Sequence, residues 1–365
     1  MDAHTPAMPI PYSPALELPA EDEAGTIAEL IDTLRMISET TLRDTGHASR
    51  SVHAKSHGLL HGEIEVLDTL PEALRQGMFA KAATYPTILR LSTPPGDILT
   101  DSITTPRGMA LKIIGLEGAR LPGSERDTTQ DFVMVNAPAF QTPDAKSFLA
   151  NLKLLAKTTD KAEVLKKGLS AVLRGTEKLL EAFGGESAKL KAMGGHAQTH
   201  PLGETFYTQV PLRYGQYVAK VSVAPSAPAQ LALVDRKLDL HGDPDGLRAA
   251  VNDYFASQTG EYELRVQLCT DAETMPIEDA SVVWPEDQSA YITVARIRVP
   301  VQRAWDPSTS SAEEDALSFS PWHGLEAHRP LGSIMRARRS SYEMSAEFRA
   351  RHNGCPIHEP QRRAA

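Results

Sequence analysis

The chain is poor in the residues that mark several common protein classes. Cysteine occurs twice in 365 residues, as Cys269 and Cys355. Two thiols so far apart give neither a metal framework nor a disulfide scaffold. No run of about 18 apolar residues is present, so no membrane span is expected. Basic charge is also in deficit: 38 Lys and Arg face 47 Asp and Glu, a net charge of −9. Such a chain is repelled by phosphate backbones, which argues against nucleic acid as a partner. The opening residues Met1-Asp2-Ala3-His4-Thr5-Pro6 lack a basic start followed by an apolar stretch, so no secretory leader is expected. A cytoplasmic location is the expectation that fits. No fixed-period repeat is visible.

What is present is ordinary for a globular protein, with 41% hydrophobic and 23% charged residues. The length is ample for one large core. Residues 1–21 are rich in proline and polar groups and read as an extended arm. Residues 22–365 read as a single domain. Ile27, Leu30, Ile31, Leu34 and Ile37 share one helical face, and Gly46 stands where that helix would stop. Alternating segments at 61–66, 87–92, 109–113 and 131–135 predict strands, and more are expected at 204–210, 216–223, 261–268 and 291–300. Between the two groups lies an expected helical insertion, 144–195, with an apolar stripe of Val164, Leu165, Leu169, Val172 and Leu173 and a lysine-rich solvated face. A last helix is expected over 340–352. About eight strands with helices between and after them suit an α+β fold, an antiparallel barrel with helical additions.

Five short segments are more specific. Arg50-Ser51-Val52-His53-Ala54-Lys55 resembles the distal motif of the haem catalases. Arg90-Leu91-Ser92-Thr93 is similar to that family's second strand, and Thr105-Pro106-Arg107-Gly108-Met109-Ala110-Leu111-Lys112 to its proline-arginine-glycine turn. Val133 to Phe140 resembles the distal asparagine segment, and Arg338-Arg339-Ser340-Ser341-Tyr342 has the proximal arginine-x-x-x-tyrosine spacing. Each is weak alone. Five in family order, spread from Arg50 to Tyr342, make a strong resemblance. It implies a catalase-type antiparallel eight-stranded β-barrel with added helices.

The resemblance also implies haem b as cofactor and a site. Tyr342 would be the axial ligand of the haem iron, as tyrosinate. A free phenol ionises near pH ~10, so it must be acidified, and a cation one helical turn away, Arg338, would help. On the distal side His53 would move a proton from the inner to the outer peroxide oxygen, a role suited to a group that titrates near neutrality. Asn136 would orient the peroxide and Ser92 would hold the imidazole. Arg50 and Arg90 would meet the haem propionates, since a planar donor fork matches a carboxylate. Phe140 would lie at or near the haem. Read without the resemblance, His53 is one of twelve histidines, Asn136 a turn residue before Pro138, Tyr342 a packed helix residue, and the arginines surface charges. Cys355-Pro356 has no haem-thiolate surroundings, and His323 and His328 read as solvated loop residues.

The implied activity is peroxidase or catalase cleavage of hydrogen peroxide or organic hydroperoxides through a high-valent iron-oxo intermediate. Two departures tilt it toward a peroxidase with a second, reducing substrate. Gln141 stands where large catalases carry a second aromatic, and the chain stops soon after Tyr342, which leads to an expectation of a minimal member with a more exposed haem edge. One alternative is a fatty-acid hydroperoxide isomerase, similar to the catalase-related allene oxide synthases. Those carry threonine before the distal histidine, where this chain has Val52. The other is a barrel that binds haem or an apolar ligand without chemistry. The resemblance also implies a homo-oligomer that exchanges the arms 1–21.

Overall fold

A computed structural model describes residues 8–156 and 197–361. Its strands are β1 (Lys55–Val66), β2 (Thr84–Thr93), β3 (Gly108–Ile114), β4 (Thr129–Val135), β5 (Phe206–Tyr207), β6 (Leu212–Tyr214), β7 (Tyr217–Pro225), β8 (Gly260–Leu268) and β9 (Ile292–Val299). Every pairing is antiparallel, and neighbours follow the order β5-β4-β3-β2-β1-β9-β8-β7. The ring closes because Phe206 of β5 also pairs with Val223 of β7. The result is a closed eight-stranded barrel, with β6 added as a hairpin on β7. Closure leaves the eight barrel strands without an open edge among the described residues.

Period-two alternation sorts the side chains. On β3, Met109, Leu111 and Ile113 point into the barrel core, where Val221, Val223, Leu264 and Val266 meet them. Ala110 and Ile114 face outward and pack with Ile88, Leu317 and Phe319. Burying each Leu, Val or Ile contributes about 1.5–3 kcal/mol. The site lies on that outer wall.

A helical layer covers it. The helices are α1 (Glu23–Thr45), α2 (Ala145–Ala156), α3 (Pro228–Leu231), α4 (Gly246–Phe255), α5 (Ser310–Ala316) and α6 (Ser333–Asn353). Leu30, Leu34 and Ile37 of α1 pack against Leu149 and Leu152 of α2 and Ala337 and Met344 of α6. Gly46 ends α1 at φ 73°, a left-handed conformation that glycine adopts without a Cβ penalty. No helix among the described residues is long and apolar enough to cross a membrane.

Several elements differ from expectation. The strand expected over 204–210 is reduced to Phe206–Tyr207, because Glu204 turns aside to polar partners and Gln209 adopts φ 64°. The three residues of β6 are too short to show alternation. The last helix begins at Ser333 rather than near Ser340, since Ile334, Met335 and Ala337 already belong to its buried face. Three further helices lie outside the expectation: α3 and α5 are short, whereas α4 does carry an apolar face in Leu247, Val251 and Phe255. The stripe Val164 to Leu173 lies outside the described residues. Residues 10–17 lie along this chain's own barrel, with Ile10 N–H donating to Cys269 O and Glu17 paired to Arg336.

His328 is not solvated as the sequence led us to expect: it is 1% exposed, among the rings of Phe79, Phe132 and Tyr214. Gly77 leaves the room, since a Cβ there would lie 2.4 Å from His328 Nε2. Burial pushes His328 down to about 3 and His200 to about 4, and pushes His57 well down as well. His323 behaves oppositely. Burial lowers it, but the carboxylates of Asp131 and Glu359, 3.3 and 3.1 Å from its Nδ1, outweigh that and raise it to about 9. Below pH ~6.5 the unfolded chain takes up protons that the three depressed histidines and His53, which is also lowered, refuse, so stability falls by up to about 1.4 kcal/mol per pH unit for each. Above pH ~6.5 the contribution of His323 is lost instead, through about 9. Denaturant midpoints should therefore peak near pH ~6.5 and fall more steeply on the acid side. A flat profile from pH ~7 to ~5 would mean that these histidines ionise within the fold.

Candidate active site

Strand register builds one wall of a cleft. Ser92 pairs with Gly108 and Arg90 with Ala110, while Ala110 pairs with Val133 of β4. All five line the cleft, and α6 supplies the opposite wall through Ser341, Tyr342, Ser345, Ala346 and Arg349. The cleft has a volume of about 80 Å3 and is partly open to solvent.

His53 enters from the loop between α1 and β1. Its backbone has φ 55°, a conformation uncommon for a residue with a Cβ. Its N–H donates to Pro94 O at 2.7 Å, which helps to hold that conformation. The ring Nδ1 lies 3.0 Å from Ser92 Oγ, leaving Nε2 for the cleft. Burial first, then the charges of Arg90, Arg338 and Arg50, push His53 down to about 3. At neutral pH the imidazole is therefore uncharged, and a weaker base than one that titrates near neutrality. Gly108 makes its position possible: a Cβ there would come within 2.5 Å of the ring. A Gly108→Ala protein should fold and yet lose most of any His53-dependent activity, about 10²-fold, because the 3.0 Å contact with Ser92 could not survive. Comparing its activity with its melting temperature checks this, and unchanged activity would show that the ring position is unimportant.

Tyr342 lies on α6. Arg338, one turn before it, donates from Nη2 to the phenol oxygen at 2.7 Å and lies 5.1 Å from the ring centroid. A guanidinium placed there stabilises negative charge on that oxygen.

At the other end of the cleft the arginines gather. Arg50, Arg90 and Arg349 line it, and the carboxylate of Glu314 lies between Arg50 and Arg90 at 2.6 and 2.5 Å. Burial pushes the Arg50 guanidinium well down, with the charges of Arg90 and Arg349 adding to it. Burial and Arg90 push Arg349 down to about 10. Burial would raise Glu314, but Arg90 and Arg50 outweigh it and hold Glu314 below the usual carboxylate range. Three guanidinium groups face the buried carboxylate of Glu314 and the less buried one of Asp315, which leaves a net positive charge. The Nε of Arg349 is buried without a partner. A buried positive excess of this kind is stabilised by an anion, and the propionates of a haem would supply one.

The structure thus places His53, Ser92, Tyr342, Arg50 and Arg90 around one cleft, with Arg338 on the Tyr342 oxygen. Asn136 and Phe140 are not among its lining residues. The Asn136 amide accepts from Arg107 N–H at 2.8 Å and donates to Glu204 at 2.5 Å. Phe140 packs on Phe148, with ring centroids 5.3 Å apart. Sequence reasoning passed over Gly108, Glu314 and Arg349 as site residues. Arg349 had a signal, since it falls two helical turns after Tyr342 on the same face. Glu314, inside Glu313-Glu314-Asp315, had none.

Neither a family model nor a curated protein matches this sequence. Solved structures do. A fungal catalase aligns over 98% of this chain and 70% of its own, with TM-score 0.59 and 17% identity. Catalase A from Saccharomyces cerevisiae aligns over 96% and 68%, with TM-score 0.58 and 16% identity. A bacterial catalase aligns over 97% and 66%, with TM-score 0.60 and 15% identity. The fold is the catalase fold. At these identities the likeness is one of architecture, and the chain spans 66 to 70% of the length of those three catalases. Within the catalase fold, the cleft lies between the outer wall of the barrel and α6.

Proposed function

We propose that the protein is a haem-dependent oxidoreductase that cleaves the O–O bond of a peroxide, acting chiefly as a peroxidase with a second, reducing substrate. The observation that carries this reading is the pairing of His53, neutral and with Nε2 open to the cleft, with an Arg338-bound Tyr342 in the same cleft. Haem, when bound, supplies the redox-active iron. Tyr342 would hold that iron through its phenol oxygen, with Arg338 sustaining the charge. Arg50, Arg90 and Arg349 would take the two carboxylates.

The remaining work belongs to side chains. His53 Nε2 accepts the proton of the inner peroxide oxygen and returns it to the outer one, which leaves as water or an alcohol. Ser92 keeps the ring from turning. Asn136 lies outside the cleft lining with its amide on Arg107 and Glu204, so it would orient the peroxide only after that amide turns toward the cleft. Gln141, polar where large catalases carry an aromatic, supports larger substrates over dismutation of hydrogen peroxide.

Purified protein supplied with haem would be assayed for consumption of hydrogen peroxide and cumene hydroperoxide, with and without a dye reductant. Turnover of the organic hydroperoxide that depends on the dye is the expected result. Haem-loaded protein inert to both peroxides would reject the reading.

A further inference from the structure

The arginine end of the cleft is built around one acid. A single oxygen of Glu314, Oε1, accepts from Arg50 Nη1 and from both Nε and Nη2 of Arg90, at 2.5–2.8 Å. The backbone beside it takes more donors. Arg50 Nη2 reaches Glu314 O and Leu317 O, and Arg349 Nη2 reaches Leu317 O at 2.9 Å. Arg90 Nη2 also binds His53 O at 2.8 Å, which ties this cluster to the histidine loop. After these bonds each guanidinium keeps one nitrogen uncommitted among the described residues: Arg50 Nε, Arg90 Nη1 and Arg349 Nε. Glu314 itself is 7% exposed. A buried acid that loses its partners is costly, and so are two neighbouring guanidinium groups without an acid between them.

We propose that Glu314 is a positioning residue for the cofactor's carboxylates. It holds Arg50 and Arg90 side by side, leaves one nitrogen of each uncommitted, and keeps the cluster at a net positive charge that carboxylates would balance. The site is thereby tuned to a porphyrin diacid over a mono- or uncharged analogue. The inference rests on the haem reading above and assigns its carboxylate selectivity to one residue.

The test uses the full chain without haem and two iron-free, fluorescent probes. Protoporphyrin IX carries two carboxylates, and its dimethyl ester carries none. The wild type is expected to bind the diacid more tightly. Glu314→Gln keeps the shape and removes the charge, and should weaken diacid binding about tenfold, as loss of one oriented ion pair does. Ester binding should stay unchanged, and Glu314→Asp should recover part of the loss. An effect on fold alone would weaken both probes equally, and that outcome overturns the proposal. So does diacid binding as tight as, or tighter than, the wild type. If the wild type binds neither haem nor protoporphyrin, the haem reading falls and this proposal with it. If the wild type binds both and Glu314→Gln changes nothing, only the role of Glu314 is lost.

Discussion

Replacing His53 by alanine is expected to lower peroxide turnover by roughly 10²- to 10⁴-fold while haem content stays the same. The imidazole lines the cleft, is uncharged at neutral pH and is held through one nitrogen by Ser92, so its other nitrogen is the available proton acceptor. No other described residue offers the same: the other histidines with depressed pKa, His57, His200 and His328, are buried away from the cleft lining. Ser92→Ala should cost less, about tenfold, since it frees the ring without removing it. Initial rates at several peroxide concentrations would separate the two, because loss of proton transfer lowers kcat whereas a mobile ring also raises KM. Equal rates for wild type and His53→Ala would remove proton transfer by His53 from the account.

The second large effect concerns Tyr342. Tyr342→Phe keeps the ring and its packing and removes only the oxygen that Arg338 contacts at 2.7 Å. Haem, if retained, should lose its anionic ligand, its spectrum should change, and turnover should fall by more than about 10²-fold. That bound comes from comparison: partners of a metal ligand are typically worth about 10- to 100-fold, and removing the ligand itself should exceed them. Arg338→Ala should fall within that lower range, and Arg338→Lys should recover little, since an ammonium lacks the planar fork. A Tyr342→Phe protein with an unchanged haem spectrum would place the iron ligand elsewhere.

Much of the architecture was legible in the sequence because alternation was strong where the barrel wall separates two apolar faces. On β3, Met109, Leu111 and Ile113 fill the core while Ala110 and Ile114 face the helical layer. β5 was not legible to the same degree. Its two paired residues sit in a segment bent by polar contacts of Glu204 and by the positive φ of Gln209. The site was legible through residue types in order, and the structure adds what linear order does not contain. The backbone of His53 is left-handed, Gly108 is the residue that makes room for its ring, and Glu314 joins arginines that lie far apart in the chain. Each is a three-dimensional relation between segments whose local sequence looks unremarkable alone. Asn136 shows the converse. Its sequence context is specific, yet its amide is turned to Arg107 and Glu204.

The most direct test of the central claim is a haem titration of wild type and Tyr342→Phe, followed by absorption and electron paramagnetic resonance. The account predicts one haem per chain in the wild type, with a high-spin ferric signal that Tyr342→Phe abolishes or alters. Absence of stoichiometric binding, or identical spectra for the two proteins, would contradict it.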